Sequence, residues 1–68
     1  MKHVSGKRMV QILKSRGWVL ERVKGSHHIF SKPGLVQTVN VPVHGNKILK
    51  PKTQRSIMKA AELTDEDL

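Results

Sequence analysis

Two histidines stand side by side in KGSHHIF, residues 24–30, and a third follows in VPVHGNK at His44. Imidazole titrates near neutral pH, so it can take a proton from a hydroxyl or return one to a leaving oxygen under physiological conditions. Cations flank both motifs: Arg22 and Lys24 precede the pair, and Lys47 follows His44 by three residues. Such cations suit a reaction in which negative charge builds up on the reacting group. Metal chemistry is a poorer match. There is no HxH or HExxH spacing and no cysteine, and four of the five acids crowd the last seven residues. No metal or other cofactor is therefore expected.

Whether these residues meet depends on the elements that carry them. Ser5 can cap a helix over Gly6–Arg16, with Met9, Val10, Ile12 and Leu13 on one stripe and Gly17 as its stop. WVLERVK, HHIFSK and LVQTVNVPV follow, three segments rich in β-branched or aromatic residues and separated by Gly25 and by Pro33–Gly34. They predict a three-stranded antiparallel meander. HGNK is a loop, and Pro51 opens a second helix carrying Ile57, Met58, Ala60 and Ala61. Thr64 with Asp67 three residues on predicts one last capped turn. The expected fold is α+β, in the order α-β-β-β-α, with both helices on one face of the sheet and the other face open.

Neighbouring strand residues face opposite sides, so His27 and His28 cannot both enter the core, nor can they share one metal ion. Register decides which points where. A two-residue turn at Pro33–Gly34 pairs Phe30 with Gln37, His28 with Val39 and His27 with Asn40. The face of Val39, Val41 and Val43 then takes Phe30 and His28, and His28 is a half-buried packing residue. His27 shares the open face with Ile29, Ser31, Thr38 and Asn40. A preceding turn at Lys24–Gly25 pairs Arg22 with His27 and puts Trp18 and Leu20 on the open face, beside Val36. His44, just past strand 3, lies at the His27 end of the sheet. It either assists there or bonds to the loop backbone. His3 sits at the terminus and has no expected role.

Sixty-eight residues make one domain, residues 1–68, whose core supplies no more than about 3–5 kcal/mol. The first ten residues lack the apolar run of a secretory leader and no stretch is long enough to span a bilayer, so a soluble, cytoplasmic protein without membrane contact is expected. Residues 1–61 hold thirteen Lys and Arg against Glu21 alone, a net +12, before the acidic end. That balance fits a surface for nucleic acid, through counterion release from phosphates; a merely solubilising basic face is the other reading. Lys47, Lys50, Lys52, Arg55 and Lys59 gather around the second helix, either as phosphate contacts or as a solvated face.

The succession GSHHIF, VPVHGNK and KTQRSIMKAA, framed by a first helix ending in RGW, closely resembles the HicA (YcfA-like) toxins of bacterial HicAB toxin–antitoxin systems. The resemblance covers nearly the whole chain. It implies a miniature double-stranded-RNA-binding-domain fold and an mRNA interferase that cuts transcripts without the ribosome and is neutralised by a HicB antitoxin. The family's catalytic histidine, the one after Gly and Ser, falls on His27. Gln54 departs from the pattern, because many members carry leucine after the capping threonine, and the change bears on packing more than on chemistry.

With that resemblance, His27 becomes the group that exchanges protons with RNA in a metal-free cleavage, and His44 a candidate second group. Arg22, Lys24, Lys47, Lys50, Lys52 and Arg55 are the expected RNA-binding cations. DNA is reached only indirectly, through the antitoxin complex. Two rivals stand beside this reading. The same layout can grip an RNA duplex without cutting it. Alternatively, protein contacts dominate, with Trp18 either an interface anchor or simply the first core residue of strand 1.

Overall fold

The computed structural model describes residues 1–68 and runs α1 (Gly6–Ser15), β1 (Val19–Lys24), β2 (His27–Ser31), β3 (Val39–Pro42), α2 (Pro51–Ala61) and a final 3-10 turn at Asp65–Asp67. The α-β-β-β-α order and the antiparallel sheet β1-β2-β3 are those expected. None of the helices is long and apolar enough to cross a membrane.

Helix α1 begins where the Ser5 side chain accepts the Arg8 backbone N–H at 3.0 Å. It ends in a Schellman motif: the Trp18 N–H reaches Leu13 O at 3.0 Å, the Gly17 N–H reaches Lys14 O at 3.2 Å, and Gly17 takes φ 90°. This stop throws Trp18 back toward the helix, and it is buried in the same core as Leu13. Gly6 lies so close to β3 that an added Cβ would collide with Pro42 O. Only glycine permits that approach.

The core fills one face of the sheet, with Phe30, Val39 and Val41 under Met9, Ile12 and Leu13 of α1 and Ile57, Met58 and Ala61 of α2. Gln54 is fully buried within it. Its Oε1 accepts the Val4 N–H at 3.1 Å and its Nε2 donates to Lys2 O at 2.6 Å. The Leu49 N–H donates to Val4 O at 2.9 Å, so the segment before α1 is stitched to α2 and to the loop preceding it. Gln54 is thus a polar clamp inside the core, and the backbone on both sides of His3 is held rather than loose. At the far end Thr64 and Asp67 form a capping box, while Asp67 also pairs with Arg16 at the C-cap of α1. The acidic segment is folded back on the domain, with Leu63 in the core.

Register differs from expectation on both sides of β2. The turn between β1 and β2 is Gly25–Ser26, with Gly25 at φ 60° in the position that a type II′ turn reserves for glycine. Lys24 therefore pairs with His27, Val23 with His28 and Arg22 with Ile29. Arg22 is not the partner of His27. Beyond it Glu21 forms a bulge, and Leu20 pairs with Phe30. The two changes act differently. Near the turn the slip is two residues, which leaves Arg22 on the open face; past the bulge it is one, which turns Leu20 and Trp18 toward the helices. Trp18 is only 3% exposed and Leu20 packs partly buried against the core, so neither residue belongs to the open face.

On the other side, the Pro33–Gly34 turn does close, with the Leu35 N–H donating to Lys32 O at 3.0 Å and Gly34 at φ 88°. The ladder nevertheless resumes only at Val39. Phe30 pairs with Val39, His28 with Val41, Ile29 with Asn40 and His27 with Pro42. The pairs expected from continuous strands, Phe30 with Gln37, His28 with Val39 and His27 with Asn40, are all displaced by two. An even slip preserves the faces, so Phe30 and His28 still share theirs with the valines, and His27 shares its own with Asn40. Val36, expected on the open face, instead lies in the loop and is wholly exposed.

Candidate functional site

His27 opens β2 immediately after the Gly25–Ser26 turn, and its imidazole is exposed on the uncovered face. Its neighbours follow from the ladder. Lys24 lies directly across on β1 and Pro42 directly across on β3, while Arg22 is one place further along the same face, opposite Ile29. Asn40 is diagonal to His27, and its Oδ1 lies 3.0 Å from the imidazole Nδ1. The register slip thus exchanges a direct cross-strand neighbour for a diagonal one whose side chain still reaches the ring. The sequence placed Asn40 beside His27 but assigned it no role. Its signal was the alternation of Val39, Asn40 and Val41, a polar residue between two buried valines.

His28 points the other way. It is half-buried on the helix side, with Nδ1 3.4 Å from Ser26 O, as a packing residue should be. His44 lies beyond the end of β3, where the Val43 N–H donates to Ser26 O at 2.7 Å and ties that end to the start of β2. The loop then turns sharply, with Gly45 at φ 57° and the Lys47 N–H on His44 O at 3.0 Å. His44 therefore lies at the His27 end of the sheet, and its carbonyl serves the turn.

His44 lines a shallow cleft of about 290 Å³ with Pro42, Lys47, Leu49, Lys50 and Thr53. His27 does not line this cleft; Pro42, its cross-strand partner, does. One cleft thus gathers His44, Lys47 and Lys50 beside the rim that carries His27, Lys24 and Arg22. Lys52 and Arg55 stand exposed on α2 and are not part of the cleft wall.

The electrostatics are one-sided. The single ion pair joins Arg16 to Asp67, which leaves Arg22, Lys24, Lys47, Lys50, Lys52 and Arg55 without carboxylate partners. Unpaired, exposed cations on two adjoining surfaces favour an extended anion over a small neutral ligand. No three His, Asp or Glu side chains converge into a set able to hold a metal ion.

Two comparisons bear on what this arrangement is. Among curated proteins, none matches the chain. The family model of the HicA toxin of bacterial toxin–antitoxin systems matches residues 6–63, a span that runs from the first residue of α1 past the end of α2 and includes every candidate residue above. The chain belongs to the HicA toxin family.

Proposed function

We propose that residues 1–68 form one domain that acts as an mRNA interferase, a metal-free endoribonuclease with His27 as its proton-exchanging group. The observation that carries this reading is the exposed imidazole of His27 on an uncovered sheet face, with Lys24 directly across and Arg22 next along the same face. RNA brings its own nucleophile. His27 takes the proton of a ribose 2′-OH, O2′ bonds to the adjacent phosphorus, and the bond from phosphorus to the 5′-oxygen breaks. The 5′-oxygen receives a proton from a second group or from water. His44, at the same end of the sheet, is the candidate for that group. The products are a 2′,3′-cyclic phosphate and a 5′-OH. Lys24 and Arg22 stabilise the charge on the phosphoryl oxygens, and Lys47 and Lys50 hold the neighbouring backbone along the cleft.

Incubation of purified protein with RNA, followed by end-group analysis, tests this. Cyclic phosphate termini, no cleavage of DNA, and loss of cutting in His27→Ala are expected. Cleavage by His27→Ala at the parental rate would refute it, as would products bearing 3′-OH and 5′-phosphate ends.

One observation favours a second reading, a non-catalytic RNA-binding module. Lys52, Arg55 and Lys59 are exposed on α2, where they can grip a duplex by its phosphates without reaching His27. RNA that is bound with steep salt dependence but stays intact over hours would decide for it. In either case the partner that restrains the protein is a HicB-type antitoxin whose acidic surface complements the basic face and covers His27. DNA is met only through that complex, and the cytoplasm, where mRNA is found, is the compartment.

A further inference from the structure

We infer that Asn40 is the positioning residue of His27: its carboxamide oxygen holds the Nδ1–H, which leaves Nε2 as the ring nitrogen that exchanges protons with RNA. The inference rests on the reading of His27 given above. It starts from the 3.0 Å contact between Asn40 Oδ1 and His27 Nδ1. An exposed imidazole at the start of a strand has no packing to fix its rotamer, so a single directional bond decides where the ring points. Asn40 is well placed to supply one, because Val39 and Val41 on either side of it are buried at 2% and 0% exposure. Its backbone is therefore anchored in the core while its side chain stands on the open face.

Which end of the carboxamide meets the ring follows from the chemistry. In the neutral imidazole one nitrogen donates and the other accepts; in the imidazolium both donate. A general base must pass between these two states. If the Asn40 amide nitrogen donated to Nδ1, the proton would be confined to Nε2, the ring could not act as a base there, and the charged form would face a donor. The amide oxygen is compatible with both states. Nδ1–H stays on Oδ1 while Nε2 carries first a lone pair and then the proton taken from the 2′-OH. The same bond that orients the ring thus selects its tautomer.

Two measurements on the whole protein test this, one of them independent of activity. In ¹⁵N-edited NMR of the imidazoles, neutral wild-type His27 should be the Nδ1–H tautomer, and Asn40→Ala should shift it toward Nε2–H, the form favoured by a free imidazole. In cleavage assays Asn40→Ala should lower kcat about tenfold to a hundredfold, part of the factor that general acid–base catalysis supplies, with RNA affinity unchanged. Asn40→Asp retains an acceptor and should recover the rate. Its carboxylate favours the imidazolium, so the acidic limb of the pH–rate profile should move to higher pH.

The inference is overturned if wild-type His27 is the Nε2–H tautomer, or if Asn40→Ala matches the wild-type kcat while His27→Ala is inactive. Parental cleavage by His27→Ala would instead bring down the underlying reading, and this inference with it.

Discussion

The two faces of β2 divide the labour of this domain between residues that are neighbours in the chain. On the helix side Phe30, paired with Val39, and His28, paired with Val41, contribute to or border the core; on the other side His27 and Ile29 face outward with Lys24, Arg22 and Asn40. One face supplies stability and the other is free to supply chemistry. The difference teaches that in so small a protein a strand's alternation lets charged and titratable groups gather without any entering the core. Such a division predicts that substitutions on the two faces have separable consequences.

The largest effect is expected at His27. His27→Ala should reduce RNA cleavage by about 10²–10⁴-fold, the range general acid–base catalysis contributes, while its unfolding free energy stays within about 0.5 kcal/mol of the parent's. A large loss of stability in this variant would break the division. Phe30→Ala probes the opposite face and should cost about 3–5 kcal/mol, comparable with all the stability a core of this size supplies. Circular dichroism and urea titration should find it unfolded or nearly so.

Gly6→Ala is the substitution that should cross the division. Its Cβ meets Pro42 O, so α1 and β3 must separate at a cost of about 1–3 kcal/mol. Because Pro42 is the partner of His27, cleavage by the folded fraction should fall as well, which a single-turnover assay corrected for folded protein would register. The smallest effect on stability and RNA binding belongs to Lys24→Ala. It should leave the melting profile unchanged and lower the salt slope of single-stranded RNA binding by about 0.7, the share of one phosphate contact. A salt titration by fluorescence anisotropy is the check, and an unchanged slope would remove Lys24 from the RNA-binding surface.

Much of this was legible in the chain. The caps at Ser5 and Gly17, Pro51 at the start of α2 and the box at Thr64–Asp67 all lie where local chemistry placed them, because a cap or a turn is decided within a few residues. Register was not legible to the same degree. The turn at Pro33–Gly34 formed as expected, yet Leu35–Thr38 stayed out of the ladder. The faces survived only because the slip was even. The bulge at Glu21 has no residue signature of its own. It satisfies two demands that lie apart in sequence: the Schellman stop sends Trp18 into the core, and the tight glycine turn leaves Lys24 opposite His27. With that, the expected neighbour of His27 changed from Arg22 to Lys24, and of the two readings open for Trp18 the core residue holds rather than the interface anchor.

By itself, then, the sequence determined the order of elements, the basic surface, the split of His27 from His28 and the likeness to HicA toxins, since these depend on residue type, local geometry and period-two alternation. Only the tertiary structure decided which cations flank His27, that Asn40 bonds its ring, and that His44 shares a cleft with Lys47 and Lys50. Each of these depends on how strands and loops distant in the chain are brought into register, and that register is set by the packing of the whole core rather than by any one segment.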